Sequence, residues 1–163
     1  LIPGSLVFIP LFILIQNLGL LNTHLALILS NLTFAIPFCT WMLIGYFKGV
    51  PPEMEEAAMI DGCSRLQSLW KVLVPLSAPG LVAAAIFSFT LAWNEFLYAL
   101  VFMGSGDMKT APVGVVSDLI RADVYFWGSL MAAGLLGSVP VAVAYAFLVD
   151  NYVSGLTAGA TKG

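Results

Sequence analysis

Three long runs without a single charged side chain constrain this 163-residue chain more than any other feature: residues 25–47, 72–94 and 124–149. A helix needs roughly 20 largely apolar residues to cross the hydrocarbon of a bilayer. Each run is long enough. The apolar residues are continuous rather than spaced to one face, so these are not the amphipathic helices of a soluble core. Only 9% of residues are charged, and 60% are hydrophobic, against about 25% charged in an ordinary soluble domain. The opening LIPGSLVFIPLFILIQ is shorter. It lacks the basic start and small-residue cleavage site of a signal peptide, and reads as a fourth span clipped at its start. The expected architecture is an all-α integral membrane protein with spans over about 1–17, 25–47, 75–101 and 124–149. The chain is expected to be part of a longer membrane protein.

Charge is concentrated between the second and third spans. Lys48, Glu53, Glu55, Glu56, Asp61, Arg65 and Lys71 make seven of the fifteen charged residues. Lys48, Arg65 and Lys71 fall in this loop and Lys162 in the tail. Lys109 and Arg121 fall after the third span, among acids. The positive-inside rule places the loop 48–74 in the cytoplasm. Alternation then makes 104–123 external. Net charge is −3 with no basic tract, which gives nucleic-acid binding no support. Cys39 and Cys63 are too few and too far apart for a disulfide framework or a metal site, and His24 reads as an interfacial polar residue. No cofactor is implied.

The loop carries start and stop signals for two short helices. Pro51 and Pro52 suit a first helical turn, and Glu53, Glu55 and Glu56 follow where the helix dipole favours negative charge. Asp61-Gly62 is a stop, with Gly62 free to take the left-handed cap conformation. Ser64 and Gln67 have capping-box spacing. Leu66, Leu69, Trp70 and Leu73 then form an i, i+3, i+4, i+7 stripe, and Pro75 closes that helix or kinks it into the third span. Two readings stand for the second helix: docking to a cytosolic partner, or lying on the lipid surface.

The segment EAAMIDGCSRLQSLWKVLVPLSAPG resembles the EAA loop of ABC importer permeases: Glu-Ala-Ala, three residues, Gly, nine residues, then Ile-x-Leu-Pro. Glu56, Ala57, Ala58 and Gly62 fit in place, Asp61 fits the common form, and Val72-Leu73-Val74-Pro75 replaces the final tetrad conservatively. LGLLNTHLALIL, AWNEFLYALVF and the tail SGLTAGATKG resemble the carbohydrate branch of that family. The resemblance implies a type I importer transmembrane domain (MetI-like). Four of about six helices are present, joined by a cytoplasmic coupling loop. It also implies a second permease, a cytosolic ATPase dimer, an extracytoplasmic solute-binding protein and a bacterial inner-membrane location. ATP chemistry falls to the partner, and this chain has no GxxxxGK[ST] loop. Glu56, Ala57, Ala58, Asp61 and Gly62 become the expected ATPase contacts. A permease for amino acids or polyol phosphates, and a membrane scaffold that transports nothing, remain the alternatives.

Other residues are candidates for the path or for partners. Ser30, Thr33, Pro37 and Thr40 lie within about 80° of one another on a helix; they could line a sugar path or pack against another helix. Trp93, Asn94 and Glu95 could line the outward mouth. Alternatively, Glu95 is an interfacial carboxylate beside a belt tryptophan. With about 1.5 Å of rise per residue, a helix running unbroken from Pro75 puts Glu95 near the outer rim. Ser129, Ala133 and Gly137, with Gly134 and Ser138, form small-xxx-small ladders that favour helix packing. Asp118, Arg121 and Asp123 are candidates for contact with the binding protein.

Overall fold

A computed structural model describes residues 4–104, 106–121 and 124–158, with side-chain surroundings for 6–104, 106–120 and 124–147. Among these residues the chain is helical apart from one two-residue antiparallel ladder. Helix α1 is Gly4–Asn17 and α2 is His24–Lys48. Helix α3 is Pro52–Ile60. A second short helical stretch begins as α4, Arg65–Ser68, passes through a π-helical turn at Leu69–Leu73, and ends as α5, Val74–Leu76. Helix α6, Ala78–Trp93, and α7, Leu97–Phe102, follow. Helix α8, Ala111–Leu119, leads into strands β1, Ile120–Arg121, and β2, Val124–Tyr125, and then α9, Trp127–Ala158. In the ladder Ile120 faces Tyr125, and Arg121 faces Val124.

Helix α2 and the Trp127–Phe147 part of α9 are each long and apolar enough to cross a bilayer. The stretch Arg65–Leu76 and α6 together pass the same test but meet at a 74° bend. The run read as one span over 75–101 is therefore broken twice, at Ser77 and again between Trp93 and Leu97. The expectation of an unbroken helix from Pro75 to Glu95 is corrected: α6 has 16 residues. Pro75 does not end the helix: it lies within α5, which follows the π turn directly. The turn breaks at Ser77, whose backbone leaves the helical region at φ −92°, ψ 7°.

The chain falls into two compact units, one from Leu1–Ile36 with Thr90–Val143, the other from Pro37–Phe89 with Ala144–Gly163. The first has an aromatic core. Leu11 and Ile15 of α1, Ala26 and Leu27 of α2, and Tyr98, Ala99 and Phe102 of α7 are buried together with Met103 and Val113. Phe8 and Phe34 lie 5.3 and 5.9 Å from Tyr98, ring centre to ring centre, and Phe12 lies 6.0 Å from Phe102. Asn22, at φ +60°, holds the turn after α1 onto the end of α7. Its N–H donates to the Phe102 carbonyl at 2.8 Å, and its Oδ1 accepts from the Gly104 N–H at 3.1 Å.

In the second unit α2 and α6 pack antiparallel. Phe38 stacks on Phe87 at 3.8 Å, and Cys39 Sγ lies 3.2 Å from Ser88 Oγ. Large apolar side chains elsewhere on the long helices are exposed, Trp41 at 74% and Phe147 at 82%. A chain in water would not leave them so.

Candidate functional site

The loop between α2 and α6 is built by local rules that meet in one small structure. Pro51 is extended at φ −60°, ψ 132°, and Pro52 starts α3, with Glu53 and Glu55 in its first turn. The helix ends in a Schellman motif. The Gly62 N–H donates to the Met59 carbonyl at 3.1 Å and the Cys63 N–H to the Ala58 carbonyl at 3.0 Å, with Gly62 at φ +88°. Two residues later the Ser64–Gln67 capping box is complete: Ser64 Oγ accepts from the Gln67 N–H at 3.4 Å, and Gln67 Oε1 accepts from the Ser64 N–H at 2.9 Å. Arg65 Nε reaches back to Glu55 Oε1 at 3.2 Å, and α3 packs on α4 and the π turn.

This geometry sorts the expected docking residues. Glu56, Ala57, Asp61 and Gly62 are exposed on one capped element, whereas Ala58 is buried in the loop's own packing. The predicted apolar stripe divides as well. Leu66 and Trp70 stand 66% and 65% exposed. Leu69 and Leu73 instead turn toward a groove of about 460 Å³ shared with Ile44, Phe47, Lys48, Val50, Pro51, Pro52 and Glu55. The π turn at Leu69–Leu73 is the reason: its i→i+5 hydrogen bonds shift the register that a 3.6-residue period assumes.

The Trp93-Asn94-Glu95 segment occupies the second break in the third hydrophobic run. Glu95 is half-buried and caps α7. Its Oε1 accepts the Tyr98 N–H at 2.7 Å and its Oε2 the Ala99 N–H at 2.8 Å. Trp93 Nε1 donates to the Gly137 carbonyl of α9 at 2.9 Å. Asn94 stands exposed, its Nδ2 donating to the Thr90 carbonyl at 2.9 Å. The structure thus engages Trp93 and Glu95 within the chain and leaves Asn94 at the surface.

The polar residues of α2 differ in exposure. Ser30 is fully buried, its hydroxyl donating to the Ala26 carbonyl at 2.7 Å. Thr33 is exposed and donates to the Leu29 carbonyl at 3.0 Å, and Thr40 is exposed. Back-bonding of this kind satisfies a hydroxyl where no water is present. On α9, Ala133 and Gly137 are half-covered, while Ser129, Gly134 and Ser138 are exposed.

Of the candidates after α7, Asp118 pairs with Lys109 at 2.9 Å, and the same ammonium reaches Ser117 Oγ at 2.8 Å. Arg121 belongs to β1 by its backbone, its side chain lying outside the described residues, as does Asp123 entirely. The hairpin that holds Arg121 was not foreseen from the sequence. Its β-branched and aromatic residues, Ile120, Val124 and Tyr125, are the signal that could have found it. Val124, Tyr125, Phe126 and Trp127 are all exposed, with Tyr125 stacked on Trp127 at 5.5 Å.

Comparison with known proteins agrees with this architecture. Residues 1–157 match the family described as binding-protein-dependent transport system inner membrane component. The inner membrane ABC transporter permease protein YcjP of Escherichia coli is 42% identical over 160 residues, covering 98% of this chain and 57% of that protein. The sulfoquinovosyl glycerol transport system permease protein SmoH of Agrobacterium fabrum is 44% identical over 162 residues, covering 99% and 56%. The trehalose/maltose transport system permease protein MalG of Thermococcus litoralis is 41% identical over 155 residues, covering 94% and 55%. The chain spans little more than half the length of these relatives. With helices long and apolar enough to cross a bilayer and a match along almost its whole length, the chain belongs to the family of binding-protein-dependent transport system inner membrane components.

Proposed function

We propose that this chain is the permease subunit of an ATP-driven sugar importer, that it forms half of a translocation path with a second permease, and that residues 51–76 hold a cytosolic ATPase dimer. The observation that carries the reading is the exposed set Glu56, Ala57, Asp61 and Gly62 on a loop stiffened by a Schellman turn, a capping box and an interhelical ion pair. A pre-stiffened loop gives up little conformational freedom on docking, and it passes a push on to the helices it joins. The sugar class rests on the relatives named for trehalose/maltose and sulfoquinovosyl glycerol transport. ATP binding and hydrolysis belong to the partner. An extracytoplasmic binding protein would deliver the solute near the segment 104–127. Its exposed Tyr125, Phe126 and Trp127 offer more contact area there than Asp118, which is already paired with Lys109.

In this mechanism the ATPase dimer closes on ATP, the loop moves with it, and the path opens outward; hydrolysis reverses the step. Such a cycle needs a loop that grips in both states. Glu56→Lys reverses the charge offered to a basic partner surface, and Gly62→Val forces a β-branched residue into φ +88°. Both variants are expected to reach the membrane and to lose co-purification with the partner ATPase. Normal uptake with substrate-stimulated hydrolysis in both would remove this assignment. The ligand retained by the partner binding protein, identified by mass spectrometry, tests the sugar class separately.

A further inference from the structure

The two helices that receive the ends of the loop meet at a position with no side chain. Gly80, the third residue of α6, is buried, and a Cβ placed on it would stand 2.5 Å from Tyr46 Cγ, 2.6 Å from Cδ2 and 2.8 Å from Cδ1. The Tyr46 ring therefore rests directly on the α6 backbone. Tyr46 is two residues from the end of α2, and Gly80 is three residues past the 74° bend at Ser77. The contact continues an antiparallel seam that begins at Phe38 with Phe87 and at Cys39 with Ser88. Small residues at a helix crossing allow this approach in a membrane, where packing rather than water exclusion holds helices together.

The placement matters because Ser77 is an elbow. A short helix joined to a span through a single non-helical residue can rock about that joint without moving the span. Pinning the span to α2 just beyond the joint removes this slack: a displacement of the loop reaches α2 and α6 as one body. We propose that Tyr46 seated on Gly80 is a positioning contact, a clamp that makes loop movement drive both helices together. The inference rests on the reading that the loop receives force from an ATPase. The aromatic face makes the contact, so Phe serves at 46 where Ala does not. At 80 no residue but glycine fits while the ring is present.

The test uses the assembled importer in proteoliposomes. In a Cys39→Ser, Cys63→Ser background, Ala92→Cys at the exposed far end of α6 reports opening through labelling by an impermeant maleimide, with and without Mg-ATP. The unaltered clamp and Tyr46→Phe are expected to show an ATP-dependent change in labelling. Tyr46→Ala is expected to keep wild-type ATPase assembly while that change falls about fivefold or more, the lower edge of ordinary coupling between sites. Gly80→Ala alone is expected to lose membrane yield. Combining it with Tyr46→Ala restores yield to the Tyr46→Ala level, which separates a steric clash from general misfolding. A full ATP-dependent change in Tyr46→Ala, or wild-type yield in Gly80→Ala, overturns the clamp while leaving the docking assignment intact. Absence of ATPase assembly or of any ATP-dependent change with the clamp unaltered overturns the docking assignment, and the clamp with it.

Discussion

Two of the polar interruptions in the apolar chain use their polar groups in opposite ways. In residues 51–76 the charged side chains mostly stand outward: Glu53, Glu56, Asp61, Arg65 and Lys71 are exposed, and one exposed ion pair joins the two short helices. At Trp93 and Glu95 the polar atoms turn inward. Both Glu95 oxygens and the Trp93 indole N–H are bonded to backbone of the same chain. The first arrangement leaves chemistry available to another molecule; the second spends it on holding a broken helix in place. A carboxylate beside a span is thus not a functional site by its presence alone. What decides is whether its oxygens are already occupied.

Glu95→Ala is the substitution expected to cost most. It removes the acceptors of two N–H groups at the start of α7, the helix that carries Tyr98, Ala99 and Phe102 into the core. Losing such a cap and stranding its donors costs about 2–3 kcal/mol, read as a lower thermal unfolding temperature in detergent micelles. Glu95→Gln should fall between, because an amide presents one oxygen and turns its NH2 toward the other donor. Wild-type stability in Glu95→Ala, combined with altered solute affinity, would break the comparison and return Glu95 to the path. Next comes Gly62→Ala, which keeps the loop's surface but places a Cβ at φ +88°. The left-handed conformation costs a non-glycine residue about 1–2 kcal/mol, expected as increased protease cleavage within 61–64 rather than loss of the whole fold. Trp93→Phe retains the ring and removes the donor to Gly137. About 1 kcal/mol is expected, and a value near zero would show that the indole packs without needing its bond.

How far the two regions could be read from the sequence follows the range of the interactions that make them. The loop is local: Pro51, Gly62, Ser64 and Gln67 act on neighbours within five residues, so the caps were legible in order. What escaped was the π turn, which swings Leu66 and Trp70 away from Leu69 and Leu73. The elbow at Ser77 escaped as well, since Pro75 is the louder signal. In the outer break the bonds of Glu95 to residues 98 and 99 are just as local, but apolar residues on both sides hide the restart of a helix. The bond from Trp93 to Gly137 and the seat of Tyr46 on Gly80 join positions 44 and 34 apart in the chain, and no periodicity announces either. Helix-crossing contacts of this kind depend on where the two helices are placed, which local pattern does not fix.

The smallest expected change in stability gives the sharpest test of the contrast. Glu56 is exposed in the middle of α3, away from the Glu55–Arg65 pair. Reversing its charge strands no donor, opens no cavity and strains no backbone. Exposed substitutions of that sort fall within about 0.5 kcal/mol of neutral, with a few tenths more from the helix dipole. Glu56→Lys should therefore unfold at nearly the wild-type temperature. If the loop's outward charges exist for a partner, the same variant must fail where Glu95→Gln does not, in retaining the ATPase during purification. A Glu56→Lys protein that is both stable and fully assembled would mean that exposure at the loop marks a solvated surface. Loss of stability would mean that Glu56, like Glu95, is engaged within the fold. Only the pairing of an unshifted unfolding temperature with a lost partner keeps the two interruptions as different in function as they are in geometry.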